Sequence, residues 1–381
     1  MKQLSSKVAF VLLWLILMNA TAAFNAIAED NSSYLSVTGP CNLVFPKDHG
    51  SHPGYRTEWW YYTGNLEADS GETYGFQLTF FRSQISAPGT EKKWPRPHSA
   101  WRTQQIYAGH SAITDIAGKR HLQSELLARG ALAMAGVTQG AKGTLVFIQN
   151  GSAKIEADRH LLQATTDDFS YELTLRPVKP PVLHGRAGYS RKGSTPERAS
   201  CYYSLSRLET AGALTIDGKT IPVRGLSWMD HEFSTAPLEP GIIGWDWFSL
   251  QLSDQTEIML FLLRDKQGRL NAASSGTFID ASGKPIHLSK NDFRVEVLDY
   301  WESPRSRAVY PVRWRLTVFP LAIQLTARAN IFDQEMQTQA TTGVIYWEGS
   351  VSITGAVGKY PLKGVGYAEL TGYAKPFDAP M

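Results

Sequence analysis

The sequence predicts an all-β protein built from two tandem antiparallel β-domains. Three observations predict it. Short apolar runs rich in β-branched and aromatic residues recur between Gly, Asn, Asp and Ser turns. No stretch sustains a clean helical period of 3.6 residues. Two pairs of segments also repeat in the same order along the chain, and 381 residues exceed what one hydrophobic core usually organises.

The first element is a targeting segment. Lys2 and Lys7 flank a polar start, and residues 8–18 (VAFVLLWLILM) are unbroken apolar. That run is shorter than the ~20 residues a membrane-spanning helix needs, but it suits the apolar core of an export signal. Ala20-Thr21-Ala22 and Ala26-Ile27-Ala28 follow as small-residue cleavage motifs. Cleavage after Ala28 is the preferred reading, with an uncleaved anchor as its alternative. No later stretch approaches spanning length. The mature chain is therefore expected to be exported, periplasmic or secreted, without a membrane span.

Strands are expected at residues 74–81, 106–114, 143–149, 214–216, 257–263 and 344–353. Residues 122–134 (LQSELLARGALAM) are the best short helix, weakened by Gly130. Residues 87–100 and 176–200 read as long loops. The second is Pro-, Gly- and Arg-rich, too polar for a core, and long enough for a lid.

Residues 214–230 (LTIDGKTIPVRGLSWMD) and 351–369 (VSITGAVGKYPLKGVGYAE) share a pattern that ends in an aromatic, a spacer and an acid. The last pair is Trp228 and Asp230 in one copy, Tyr367 and Glu369 in the other. A second match aligns EWWYYTGNL (58–66) with WDWFSLQL (245–252), each followed by an apolar strand ending in Arg82 or Arg264. The join falls at residues 233–241, giving an N-terminal domain over 29–235 and a C-terminal domain over 236–381. Two such domains fit barrels or sandwiches.

Net charge is +3, from 38 basic and 35 acidic residues, with no basic run or basic helix, so no nucleic-acid partner is expected. No phosphate-binding Gly-rich loop and no nucleophile elbow occur. Cys41 and Cys201 are either one disulfide or two buried thiols. The segment EWWYYTG does not alternate apolar with polar. Glu58, Trp60 and Tyr62 share one face, Trp59, Tyr61 and Thr63 the other, so both faces are expected to be covered.

The run from Phe45 to Leu66 (FPKDHGSHPGYRTEWWYYTGNL) resembles the opening signature of the AttH / hydroxyneurosporene synthase family. So do residues 225–234 (GLSWMDHEFS) and 244–248 (GWDWF). The resemblance covers nearly all of the mature chain. It implies a pair of lipocalin-like (calycin) antiparallel β-barrels. Family members include carotenoid 1,2-hydratases and fungal hydratases and pericyclases acting on polyenes. Others are exported bacterial proteins often encoded beside lipoprotein-export-type ABC transporter components.

Hydration of an isolated alkene needs a proton donor and tolerance of cationic charge. A carboxyl in an apolar pocket stays protonated, and aromatic faces stabilise a cation. Asp246, Asp230 and His231 are the candidate catalytic residues on this basis. Trp228, Trp245, Trp247, Trp60 and Tyr62 are the candidate ligand-binding aromatics. Glu58 reads as a structural acid paired with Arg56, Arg82 or Arg224. The family hydratases place an acid on the strand after the Trp-Asp-Trp segment. Here that strand (258–263, IMLFLL) has none, which argues against carrying their mechanism over intact. Asp48, His49, His52 and His231 form a loose histidine-rich group, but nothing in the spacing enforces a tetrahedral set. No metal and no cofactor are expected. The leading expectation is a binder of a small apolar or amphipathic molecule, a lipid or isoprenoid, linked to an envelope ABC transporter. A polyene hydratase or isomerase and a glycan-binding module are the alternatives.

Overall fold

The computed structural model describes residues 33–377 apart from Pro237. The targeting segment at 1–28 lies outside the described residues. The first sheet comprises β1 (Thr57–Ala68), β2 (Thr73–Gln84), β3 (Gln105–Asp115), β4 (Arg120–Arg129), β5 (Ala135–Gly140), β6 (Gly143–Ile148), β7 (Gly151–Ile155), β8 (His160–Thr165), β9 (Phe169–Pro177), β10 (Val182–Leu183), β11 (Tyr189–Arg191), β12 (Ala199–Ile216) and β13 (Lys219–Ser234). The second comprises β14 (Ile242–Leu252), β15 (Glu257–Asp265), β16 (Ser275–Ile279), β17 (Pro285–Ser289), β18 (Phe293–Glu302), β19 (Val309–Val318), β20 (Ile323–Ala329), β21 (Glu335–Thr338), β22 (Val344–Val357) and β23 (Tyr360–Leu370). Every pairing within the two sheets is antiparallel.

The first sheet runs β4-β3-β2-β1-β13-β12-β9-β8-β7-β6-β5, and the second runs β17-β16-β15-β14-β23-β22-β20-β19-β18. Each is curled and barrel-like. In the first, the curl brings β6 over β2, β3 and β4. The internal repeat is visible as topology, since β2-β1-β13-β12 and β15-β14-β23-β22 have the same neighbour order. Its hairpins turn alike. Ile216 pairs with Lys219 across Asp217-Gly218, and Val357 pairs with Tyr360 across Gly358-Lys359. Asp217 and Gly218 both take positive φ (51° and 73°), as a two-residue turn matched to strand twist requires.

Alternation decides what fills each barrel. Trp60, Tyr62, Phe76, Phe80, Tyr171 and Met229 pack inside the first, and Phe248, Leu250, Trp314, Leu316 and Trp347 inside the second. A third apolar cluster joins the two sheets. It contains Tyr61, Val182, Tyr202, Trp228, Trp247, Met259, Phe261 and Tyr367, with Trp59, Leu238, Ile242 and Trp245 packed half-buried against it. Both faces of EWWYYTG are thus covered, one by its own barrel and one by the partner sheet.

Two sequence expectations are corrected. Residues 122–134 are not a helix, because residues 120–129 form β4 and ladder against β3 from Arg120↔Asp115 to Arg129↔Ile106. Leu122, Leu126 and Ala128 turn to the first core, so long-range pairing overrides local helix preference. Residues 176–200 are not a polar excursion. They carry β10 and β11 on β12, and bury Lys179, Val182, His184 and Ser190. Lys179 is buried because Glu257 (2.8 Å) and the Asp280 carbonyl (2.8 Å) meet its charge across the two sheets. Cys41 and Cys201 form a disulfide closing a sequence separation of 160.

Candidate functional site

Strand β13 builds two different environments because its successive side chains point to opposite faces. Trp228, Asp230 and Glu232 face the second sheet. Met229, His231 and Phe233 face the first barrel.

On the intersheet face, Asp230 is buried and accepts hydrogen bonds from Tyr202 Oη (2.7 Å), Trp228 Nε1 (2.6 Å) and Ser204 Oγ. Trp247 Nε1 donates to Tyr202 Oη at 3.0 Å. From the second sheet, β22 and β23 bring Glu348 and Glu369 directly opposite each other in the ladder. Two carboxylates facing on one sheet surface repel, so at least one tends to keep its proton. Trp245 Nε1 donates to Glu369 Oε1 at 3.0 Å, and Tyr61 Oη to Glu348 Oε1 at 2.7 Å. Glu348 Oε2 has no hydrogen-bond partner among the described residues. Glu232 is also buried, with Lys192 Nζ 3.0 Å away. That ammonium lies 4.0 Å from the Phe261 ring centre and 5.0 Å from that of Tyr202.

Burial, with the repulsion of neighbouring acids, drives Asp230, Glu348 and Glu369 toward their neutral forms. Glu369 is pushed up to about 8 by burial, then by Asp230 and Glu232. Asp230 is pushed up to about 7 by burial, its hydrogen bonds opposing. Glu348 rises well above the usual carboxylate range through burial and the neighbouring Glu369. The assembly is a proton store under indole and phenol rings. Its rim is half-buried: Trp59, Trp245, Glu369, Leu238 and Ile242 are each partly open to solvent.

The other face of β13 holds a different network. Glu58, fully buried, pairs with Arg82 Nε at 2.8 Å. Its Oε1 also meets His52 Nδ1 (2.7 Å) and His231 Nε2 (2.9 Å). Burial alone would raise this acid, but the hydrogen bonds from His231 and His52 and the Arg82 charge hold it well below the usual range. Trp60 stacks on His231 at 4.7 Å, and Tyr62 Oη lies 2.9 Å from His160 Nδ1. Both aromatics are buried inside the first barrel, away from the intersheet face.

The three residues picked as catalytic from sequence therefore do not converge. Asp230 stands on the intersheet face, and His231 points into the first barrel. Asp246 lies with the second barrel's core side chains, ion-paired to Arg264 (2.8 Å) and hydrogen-bonded by Tyr373 Oη (3.1 Å). Burial raises Asp246, as expected of an acid in an apolar setting, but Arg264 opposes it. Of the five predicted ligand-binding aromatics, Trp228, Trp245 and Trp247 meet at the intersheet face, while Trp60 and Tyr62 do not. Sequence reasoning missed Glu369, Glu348, Tyr61 and Tyr202 as site residues. The signal for Glu369 was present, because it is the repeat partner of Asp230. The signal for Glu348 was an acid beside Tyr346 and Trp347 inside an apolar strand, the same oddity that marks Glu58.

Fold and site together define a tandem lipocalin-like protein with a carboxyl-rich aromatic seam between its barrels. The AttH-like family profile matches residues 36–373, and the chain belongs to that family. The crystal structure of an AttH protein from Nitrosomonas europaea superposes with a TM-score of 0.78 at 33% identity, over 89% of this chain and 99% of that one. Kievitone hydratase from Nectria haematococca matches with a TM-score of 0.67 at 16% identity, over 90% of this chain and 96% of that one. CghA, solved with Sch210972, matches with a TM-score of 0.52 at 12% identity, over 90% and 97%. No curated protein matches the chain in sequence.

Proposed function

We propose that this chain is an acid–base enzyme of the hydratase or isomerase class, acting on an alkene of an apolar substrate at the seam between the barrels. The observation that carries this reading is the carboxyl cluster: Glu348 and Glu369 paired across β22 and β23, with Asp230 nearby from β13. Among the described residues, the hydrogen-bond donors to these three acids are the neutral groups of Tyr61, Tyr202, Ser204, Trp228 and Trp245, and no cation is paired with any of the three. Glu369 sits at the half-open rim and is the proton donor in this reading. Its proton forms a C–H bond with the alkene π electrons, leaving a carbocation and a carboxylate. The faces of Trp228, Trp245 and Trp247 stabilise that cation. Water then adds and gives its proton to a cluster carboxylate, or loss of a neighbouring proton yields the isomer.

The likeness to kievitone hydratase supports the fold, and the carboxyls support the chemistry. The disulfide and the pattern of residues 1–28 support an exported, periplasmic or secreted location. The half-buried rim aromatics also suit a second reading, in which the seam holds a lipid or isoprenoid without turnover and serves an envelope transporter.

Native mass spectrometry with organic extraction, on wild type and Glu369→Gln purified from the native envelope, separates the two. An enzyme yields substrate on Glu369→Gln and water-added or isomerised product on wild type. Turnover of that substrate should fall about 10²–10⁴-fold in the variant. The same molecule on both proteins, unchanged by wild type, replaces the enzyme with a binder.

A further inference from the structure

The network at the mouth of the first barrel takes no part in the seam, and its donor atoms have the character of a metal site. We propose that His52, Glu58 and His231 bind one divalent transition-metal ion of the zinc type.

The geometry comes first. One ring nitrogen each of His52 and His231 and one carboxylate oxygen of Glu58 all lie within 4.8 Å of one another. Two of the separations are 2.7 and 2.9 Å. Zinc holds such ligands at about 2.0–2.2 Å, which sets tetrahedral ligand atoms about 3.3 Å apart. Adjustments of a few tenths of an ångström to about an ångström bring the three onto one ion. Two imidazoles and one carboxylate are a donor set that binds zinc and leaves a coordination position open.

The second observation is the set of groups behind the ligands. A ligating imidazole must present one bare nitrogen and keep its proton on the other, and an outer partner fixes that tautomer. His52 Nε2 lies 3.4 Å from Asp48 Oδ1, so an N–H on that nitrogen would face a carboxylate. His231 Nδ1 lies 3.0 Å from Tyr203 Oη, which in turn lies 2.7 Å from His49 Nδ1. With an ion on Nε2, His231 would carry its proton on Nδ1 and donate it to the Tyr203 oxygen, and Tyr203 O–H would donate to His49. Glu58 is oriented as well. Arg82 Nε (2.8 Å) and the His52 backbone N–H (2.9 Å) hold Oε2 and turn Oε1 toward the imidazoles, with a further 3.1 Å contact from that N–H to Oε1. The His52 ring is stacked on Phe233 at 3.7 Å and 14°.

The third observation is access. His52 and Asp48 line a surface depression of about 390 Å³ with Tyr55, Phe233 and the Cys41–Cys201 disulfide. An ion bound by the three ligands would be reached from this side, where a fourth, exchangeable ligand fits. Without metal, each neutral imidazole turns its single N–H to Glu58. With the ion bound, that proton would sit on the other ring nitrogen, facing Asp48 in His52 and Tyr203 in His231.

The test uses tag-free, disulfide-intact protein, stripped with chelator and titrated with Zn²⁺ by calorimetry and elemental analysis. Co²⁺ absorption reports the coordination. One equivalent should bind to wild type. His52→Gln, on a surface loop, should weaken binding at least 100-fold, and Asp48→Asn about 10–100-fold, both with unchanged circular dichroism. Folded wild type without saturable binding overturns the proposal. So does His52→Gln binding as tightly as wild type. Neither result bears on the seam, whose test is substrate turnover.

Discussion

The two faces of β13 treat carboxyls in opposite ways. On one face Asp230 has only neutral donors and the neighbouring acids for company, and it is pushed up to about 7. On the other, Glu58 is just as buried but has Arg82 and two imidazoles, and it is held below its usual range. Burial is common to both, so the difference lies in the partners. A buried acid with a dedicated cation is an anchor, and a buried acid without one is a proton store. The repeat sharpens the contrast. Glu58 with Arg82 and Asp246 with Arg264 are acid–arginine pairs on the same hairpin of the two copies but in different register, because Arg82 lies directly opposite Glu58 whereas Arg264 lies opposite Gly244 and reaches Asp246 from two positions along. Asp230 and Glu369 are the same aromatic–spacer–acid motif, brought within electrostatic reach of each other across the seam.

The largest effect should come from removing an anchor's cation. Arg82→Met leaves Glu58 buried and short of its cation, and should cost about 3–5 kcal/mol of unfolding free energy in denaturant titration. Arg264→Met should cost less, about 1–3 kcal/mol, because burial already raises Asp246 and its carboxyl can take up a proton. Equal losses would erase the distinction between the two pairs.

The proton store should give a smaller effect, with a definite sign. Glu369 keeps its proton in the fold to about pH 8, whereas the unfolded chain loses it near pH 4.3. Between those values the folded state binds more protons, so unfolding free energy falls as pH rises. The slope is at most about 1.4 kcal/mol per pH unit for each retained proton. Below that window the contribution is fully present. Denaturant titrations from pH 4 to 9 on wild type and Glu369→Gln measure it, and the variant should show the shallower slope. Matching slopes would mean that Glu369 is ionised in the fold.

The smallest effect belongs to an exposed pair. Arg224 and Asp69 lie 3.1 Å apart, but their side chains are 73% and 75% exposed. Asp69→Asn should therefore change stability by less than about 0.5 kcal/mol. A loss as large as that of Arg82→Met would undo the claim that burial gives these pairs their weight.

Much of the fold is legible in the sequence. Strand runs such as 74–81 and 257–263 announced themselves by composition, and the repeated hairpins announced two copies of one β-unit. The non-alternating EWWYYTG announced a strand covered on both sides. Residues 120–129 misled, because Leu122 and Leu126 suit a helical stripe and one face of a strand equally well. Only the ladder with β3 separates the two.

The chain by itself determined what its local chemistry could express: strand or turn, which residues share a strand face, and where an acid sits among aromatics. Tertiary structure alone decided which face meets which. Asp230 and Glu369 are 139 positions apart in sequence (369 − 230), and they come within electrostatic reach only because the two curled sheets pack β1 against β23. The β14–β15 hairpin gives Asp246 its Arg264, whereas no arginine pairs with Glu348 among the described residues. A carboxyl's proton affinity depends on charges and dipoles within a few ångströms, and sequence spacing does not fix those distances.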